Sequence, residues 1–159
     1  MKFNVFFKKD HGAHWVLSNG SAIFESFLFK TMTDAMDNLE EFVTLMQSPV
    51  LSGSDELVNF GETKTSPSAL VIFKQKSTRW YWDLFISTGA KLSKVAECSD
   101  KGFDSLEQAR QKAKSLCDSI VKAPILDWAN VAIPGCNFSK TFENEHHIKD
   151  IHPSSKWIK

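Results

Sequence analysis

The residues best suited to chemistry lie close to the C-terminus: Cys136, His146, His147, Asp150 and His152. Thiolate and imidazole are zinc ligands, and a thiol beside an imidazole can serve as a nucleophile. Neither pattern is complete here. Structural zinc sites draw on paired ligands, whereas this stretch has one Cys and two adjacent His. Neighbouring side chains on a helix point about 100° apart, so His146 and His147 are poorly placed to share an ion. No nucleophile motif surrounds Cys136. Cys136, His146, His147 and His152 therefore stand as weak metal candidates in what otherwise reads as a polar, solvated tail. The alternative is an enzyme, Cys/His-dependent or metal-binding, built on that tail. No catalytic residue and no cofactor is assigned. His11 and His14 read as exposed residues in or beside a short hairpin loop, and neither Gly53 nor Gly61 leads into the Lys-Ser or Lys-Thr of a phosphate loop.

What must position any such site is a globular chain of 159 residues, 42% hydrophobic and 24% charged, too apolar to be disordered. Thirteen Phe and five Trp supply large apolar area from few side chains, which suits a small core. Lys plus Arg and Asp plus Glu both number 19, so no net charge points to nucleic acid or an anionic membrane. No apolar run approaches the roughly 20 residues that span a bilayer. The opening Met1–Phe7 is interrupted by Lys8-Lys9-Asp10 and alternates like a strand, unlike a signal sequence. Cys98, Cys117 and Cys136 contain no paired spacing and read as reduced thiols. The expected location is the cytoplasm.

Laid on itself, the chain shows a repeat. Phe29, Met32, Ala35, Leu39, Phe42 and Met46 recur 74 residues later as Phe103, Leu106, Ala109, Ala113, Leu116 and Ile120. The steps of three and four trace one face of an α-helix. Thr31 with Asp34, and Ser105 with Gln108, stand at matching places as helix caps. The helices should stop near Ser48-Pro49 and before Pro124, since proline cannot continue one. Upstream the period becomes two: Phe3, Val5 and Phe7 in one copy, Trp80, Trp82, Leu84 and Ile86 in the other. Asn19-Gly20 and Thr88-Gly89 mark tight turns, and 23–27 and 92–96 read as third strands.

The domain reading is a first β-β-β-α repeat over 1–48, a linker over 49–68, a second repeat over 69–123 and a non-repeated tail over 124–159. Residues 56–60 of the linker suit a brief strand or turn. One unit of about 45 residues is marginal alone, so the repeats should share one compact α+β domain. The expected architecture is a six-stranded antiparallel sheet with both helices packed on one face.

This pattern resembles the YegP-like family of small bacterial proteins, built from one or two such repeats. The resemblance rests on Phe7-Lys8 and Phe73-Lys74, and on the aromatic second strands at Trp15 and Trp80-Trp82-Leu84. Asn19-Gly20, Phe29 and Phe103, and Ala35 and Ala109 complete it. It covers roughly residues 3–46 and 70–120. It implies the fold, a bacterial origin and homodimerisation, and it brings no activity and no catalytic residues.

Two surfaces attract attention. Asp34, Asp37, Glu40 and Glu41 line the first helix, while Arg110, Lys112 and Lys114 lie on the second; these are either solvated faces or an electrostatic contact. With Trp80, Trp82, Leu84 and Ile86 beneath the helices, alternation turns Tyr81 and Phe85 outward, and Phe6 and Val16 join them. An apolar outer face calls for a partner, a ligand or a second layer, such as the segment from Ile125 through Trp128 and Val131 to Ile133. Phe6, Val16, Tyr81 and Phe85 are thus the candidate interaction surface, for a protein partner or a homodimer. Aromatics on a sheet also suit single-stranded nucleic acid, but only Lys74, Lys76 and Arg79 are near, and no nucleic-acid or membrane partner is expected.

Overall fold

The computed structural model describes residues 1–53, 67–87 and 91–133. The chain is α+β. Its elements are β1 (Lys2–Lys8), β2 (Gly12–Asn19), β3 (Ser21–Glu25), α1 (Met32–Gln47), β4 (Val50–Gly53), β5 (Ser68–Lys76), β6 (Arg79–Ser87), β7 (Leu92–Glu97), α2 (Leu106–Lys122) and β8 (Ile125–Asp127). It forms two compact units: Met1–Thr44 joined by the chain from Ser119 onward, and Leu45–Asp118.

The sheets correct the sequence expectation. Two four-stranded mixed sheets, ordered β3-β2-β1-β8 and β4-β5-β6-β7, replace the single six-stranded antiparallel sheet. The additional strands follow the helices directly. Proline ends each helix and the next residues run extended. Val50–Gly53 then pairs in parallel with β5, and Ile125–Asp127 pairs in parallel with β1. The linker thus begins with a strand, and the tail has a counterpart after α1. Residues 56–60, Thr88-Gly89 and Cys136 through His152 lie outside the described residues.

In unit 1 the core forms where α1 meets the inner face of the first sheet. The Phe42 ring lies 4.8 Å from Trp15, 5.5 Å from Phe24 in a stack, and 6.0 Å from Phe3 edge-on. Aromatic contacts of this kind contribute about 0.5–1.5 kcal/mol each beyond the area they bury. Trp15 Nε1 donates to Asn38 Oδ1 at 2.9 Å, so its polar atom is satisfied. Asp127 closes the sheet edge. Its buried carboxylate accepts from the Ala129 and Val131 amides at 2.8 and 2.9 Å, while Asn4 donates to the Asp127 carbonyl and to Asn130. This knot exposes Trp128 and Val131 and buries Ile125 and Ile133.

In unit 2 the helix-facing row of β5 and β6 is Val71, Phe73, Trp82 and Leu84, all buried, and the Arg110 guanidinium of α2 sits 6.0 Å from the Phe73 ring centre. Trp80 and Ile86, expected beneath the helices with them, are half-buried. Trp82 Nε1 is buried with no hydrogen-bond partner among the described residues. Both caps form as the sequence indicates: Thr31 Oγ1 accepts from the Asp34 amide at 3.1 Å, and Ser105 Oγ from the Gln108 amide at 3.2 Å. In α2, Cys117 is buried where Leu116 was the expected core position, and Leu116 is half-buried. A helix turning 3.6 residues per turn drifts off any fixed run of threes and fours.

Candidate functional site

The outer face of the first sheet holds Phe6 and Val16, both half-buried. Phe6 stacks on His14, centroids 5.0 Å apart and rings inclined 17°, and His14 Nε2 stands 3.4 Å from Glu25 Oε1. His14 therefore lies in β2 beside the hairpin loop, half-buried where the sequence suggested an exposed residue. Strand pairing sets Phe6 opposite His14 and Asn4 opposite Val16, which breaks the apolar stripe with polar groups.

On the outer face of the second sheet, Tyr81 and Phe85 are again half-buried. Phe85, with Val50 and Leu92, packs against a separate cluster formed by the buried Leu70 and Ile72. Beside it the largely buried Asp83 meets Lys74 at 3.2 Å and Lys94 at 3.6 Å, and Lys94 also reaches Glu97 at 3.3 Å. The hydrogen bond to Glu97 and the Asp83 charge hold the Lys94 ammonium above its ordinary pKa, against desolvation, which lowers it. The sequence signal for this cluster was a lone carboxylate in the apolar run Trp80–Ile86, which called for a cation on a neighbouring strand.

Large apolar side chains stand open elsewhere. Phe27 and Leu28, on the β3–α1 connection, are 73% and 68% exposed. The backbone around them is fixed. The Ser26 amide donates to the Trp15 carbonyl, Ser26 Oγ accepts from the Trp15 amide, and Ala13 and Phe29 exchange two backbone bonds at 2.8 and 2.7 Å.

Leu28 also walls an open cleft of about 300 Å³ with Phe7 and Phe29, and Asp10, His11, Gly12 and Lys30 complete it. Gly12 lets the hairpin end close on Phe29 beside it. Its φ is +96°, and a Cβ there would lie 2.3 Å from the Phe29 carbonyl oxygen, so no L side chain fits. In unit 2 the matching junction is closed. Lys8 pairs with Gly12 at the end of the first hairpin, and Lys76 pairs with Arg79 at the end of the other. Arg79 Nε donates to the Lys101 carbonyl at 2.6 Å and Nη2 to the Gly102 carbonyl at 3.0 Å, while Nη1 bonds the Asp104 carboxylate. Sequence reasoning did not find this cleft, whose sole sign was a glycine at one hairpin end facing an arginine at the other.

Cys98 and Cys117 are unpaired thiols, and burial, aided by the Asp118 charge, pushes Cys117 up to about 11. Among the described residues no group of three or more His, Cys, Asp or Glu side chains is placed to hold a metal ion, and no helix is long and apolar enough to cross a membrane. Comparison with protein-family models, with curated proteins and with solved structures returns no match.

Proposed function

We propose that this chain is a non-enzymatic binding module of the bacterial cytoplasm, whose partner is another protein or a second copy of itself. One observation carries the reading: Phe27 and Leu28 expose most of their side chains from a segment whose backbone is held on both sides. Keeping adjacent large apolar groups in water forgoes roughly 1.5–3 kcal/mol of burial each. Contiguous apolar surface of that kind marks interaction sites. The outer sheet faces, with Phe6 and Val16 in unit 1 and Tyr81 and Phe85 in unit 2, are further and more covered candidates. The resemblance to YegP-like proteins supports the bacterial setting and self-association.

The test pairs light scattering across a concentration series with capture of partners from a bacterial lysate. The double variant Phe27→Ser/Leu28→Ser should lose the wild-type association or capture while keeping its thermal midpoint. Retention of both would remove the proposed surface. Tyr81→Ser/Phe85→Ser measures the contribution of the outer face, and Cys136→Ala/His147→Ala should change neither readout in a binding module.

A further inference from the structure

We infer that the unit 1 cleft binds a carboxylate carried on an apolar body, the chemistry shared by a small apolar acid and the last residue of a polypeptide. The inference deepens the binding reading above and rests on it. At the unit 2 junction the Arg79 guanidinium spans the Lys101 and Gly102 carbonyls and the Asp104 carboxylate. Asp104 directly follows Phe103, which bridges Trp80. In unit 1 Phe29 makes the same bridge to Ala13, but the residue that follows is Lys30, and the arginine position is Gly12. The filling side chain is gone and the sign of the waiting charge is reversed.

The space left has apolar walls in Phe7, Leu28 and Phe29. Lys30 and Asp10 line it with His11, and Lys8 and Lys9 precede Asp10 on the hairpin end, three ammonium groups to one carboxylate. Local charge thus favours an anion, and the walls favour one with a hydrocarbon or aromatic body. An ammonium of Lys30 bonded to a carboxylate is a charge-assisted contact, stronger than a neutral one. Gly12 lets the hairpin end close against the Phe29 carbonyl, which would lie 2.3 Å from a Cβ there, and so sets the floor of the cleft. A cation occupying the cleft as Arg79 does would meet Lys30 in place of Asp104.

The experiment follows backbone amide resonances of the full-length chain, ¹⁵N-labelled, during titration with three probes. These are N-acetylphenylalanine, its C-terminal amide, and acetyl-Ala-Ala-Ala-Phe with a free carboxylate. Saturable shifts at Asp10, His11, Gly12, Leu28, Phe29 and Lys30 are expected with the acids. Binding should weaken about tenfold or more for the amide and for the Lys30→Glu variant, the size of one lost charge-assisted bond. Lys30 is exposed, so that variant keeps the fold, which unchanged resonances elsewhere verify. A peptide binding well above the single residue assigns the site to polypeptide C-termini, and equal binding assigns it to small acids. No saturable shift at these amides, or equal binding of acid and amide, overturns the inference. If the cleft stays silent while Phe27→Ser/Leu28→Ser still loses its partner, the carboxylate assignment fails and the binding reading survives.

Discussion

The two hairpin–helix junctions are built alike and finished differently. Each sets a bridging aromatic, Phe29 or Phe103, against the second strand of its hairpin, just before a capped helix. At Arg79 the chain spends a guanidinium on closing the junction, and at Gly12 it leaves the junction open beside two exposed apolar residues. The turns help to set the difference. The β5–β6 hairpin closes through two residues, with Ser77 at φ +61°, so Arg79 enters the strand directly. The β1–β2 hairpin uses three and places positive φ at both Asp10 and Gly12. A longer turn that must re-enter the ladder commonly does so through a glycine. One junction is therefore a structural clamp and the other is accessible surface, within the same sequence of elements.

The largest expected effect lies in the core of unit 1. Phe42→Ala removes the ring that touches Phe3, Trp15 and Phe24, and should cost about 3–5 kcal/mol in denaturant unfolding. A loss below about 1 kcal/mol would mean that α1 is not the lid of that core.

Next come the glycines. Gly12→Ala drives a Cβ against backbone and holds it at positive φ, so a loss of about 2 kcal/mol or more is expected. Gly20 shares the positive φ but has nothing within 4 Å, so Gly20→Ala should cost only about 1 kcal/mol. Equal losses would show that the close approach of Gly12 to Phe29 does not matter.

Arg79→Ala removes the clamp itself. Its side chain is 39% exposed, so solvent screens much of the ion pair, and about 1 kcal/mol is the expected cost. Added ethylguanidinium should raise the melting temperature of the variant and leave the parent chain unchanged. Absence of rescue would say that the lost packing of the side chain, and not an emptied cation site, accounts for the change.

The smallest effect concerns the thiols. Cys117 titrates near 11, above its usual 9.0, because burial disfavours the thiolate. Its contribution to stability is complete below pH 9 and is lost as pH rises through about 11. In a Cys136→Ser background, iodoacetamide at pH 8 should label Cys98 well before Cys117, and the reverse order would contradict the burial of Cys117.

Much of the fold was legible because long elements leave long signals. The helix faces at Met32, Ala35, Leu39 and Met46, and at Ala109, Ala113 and Ile120, are buried as their spacing implies. The turn at Asn19-Gly20 stands between β2 and β3 with Gly20 at φ +83°. β4 and β8, with four and three residues, are too short for alternation to show. Their trace was the likeness of Pro49-Val50-Leu51 to Pro124-Ile125-Leu126, and parallel pairing between distant segments leaves no local period. Once those strands join, one sheet becomes two. The outer-face residues were placed on the expected strands, yet Phe6 is taken up by His14 and Phe85 by Leu70 and Ile72, which residue alternation could not reveal. The cleft was the least legible feature, because it depends on how the β1–β2 hairpin end meets Leu28, Phe29 and Lys30 in three dimensions.

Amide hydrogen exchange on the full-length chain tests the difference between the junctions most directly. The bridge amides of Ala13 and Phe29 donate over 2.8 and 2.7 Å, and those of Trp80 and Phe103 over 2.8 Å each, so bond length alone does not separate them. With Arg79 clamping one junction, Trp80 and Phe103 should exchange at least about tenfold more slowly than Ala13 and Phe29, and Arg79→Ala should erase the gap. Equal protection in the parent chain, or protection at Trp80 and Phe103 that survives Arg79→Ala, would contradict the account of one clamped and one open junction.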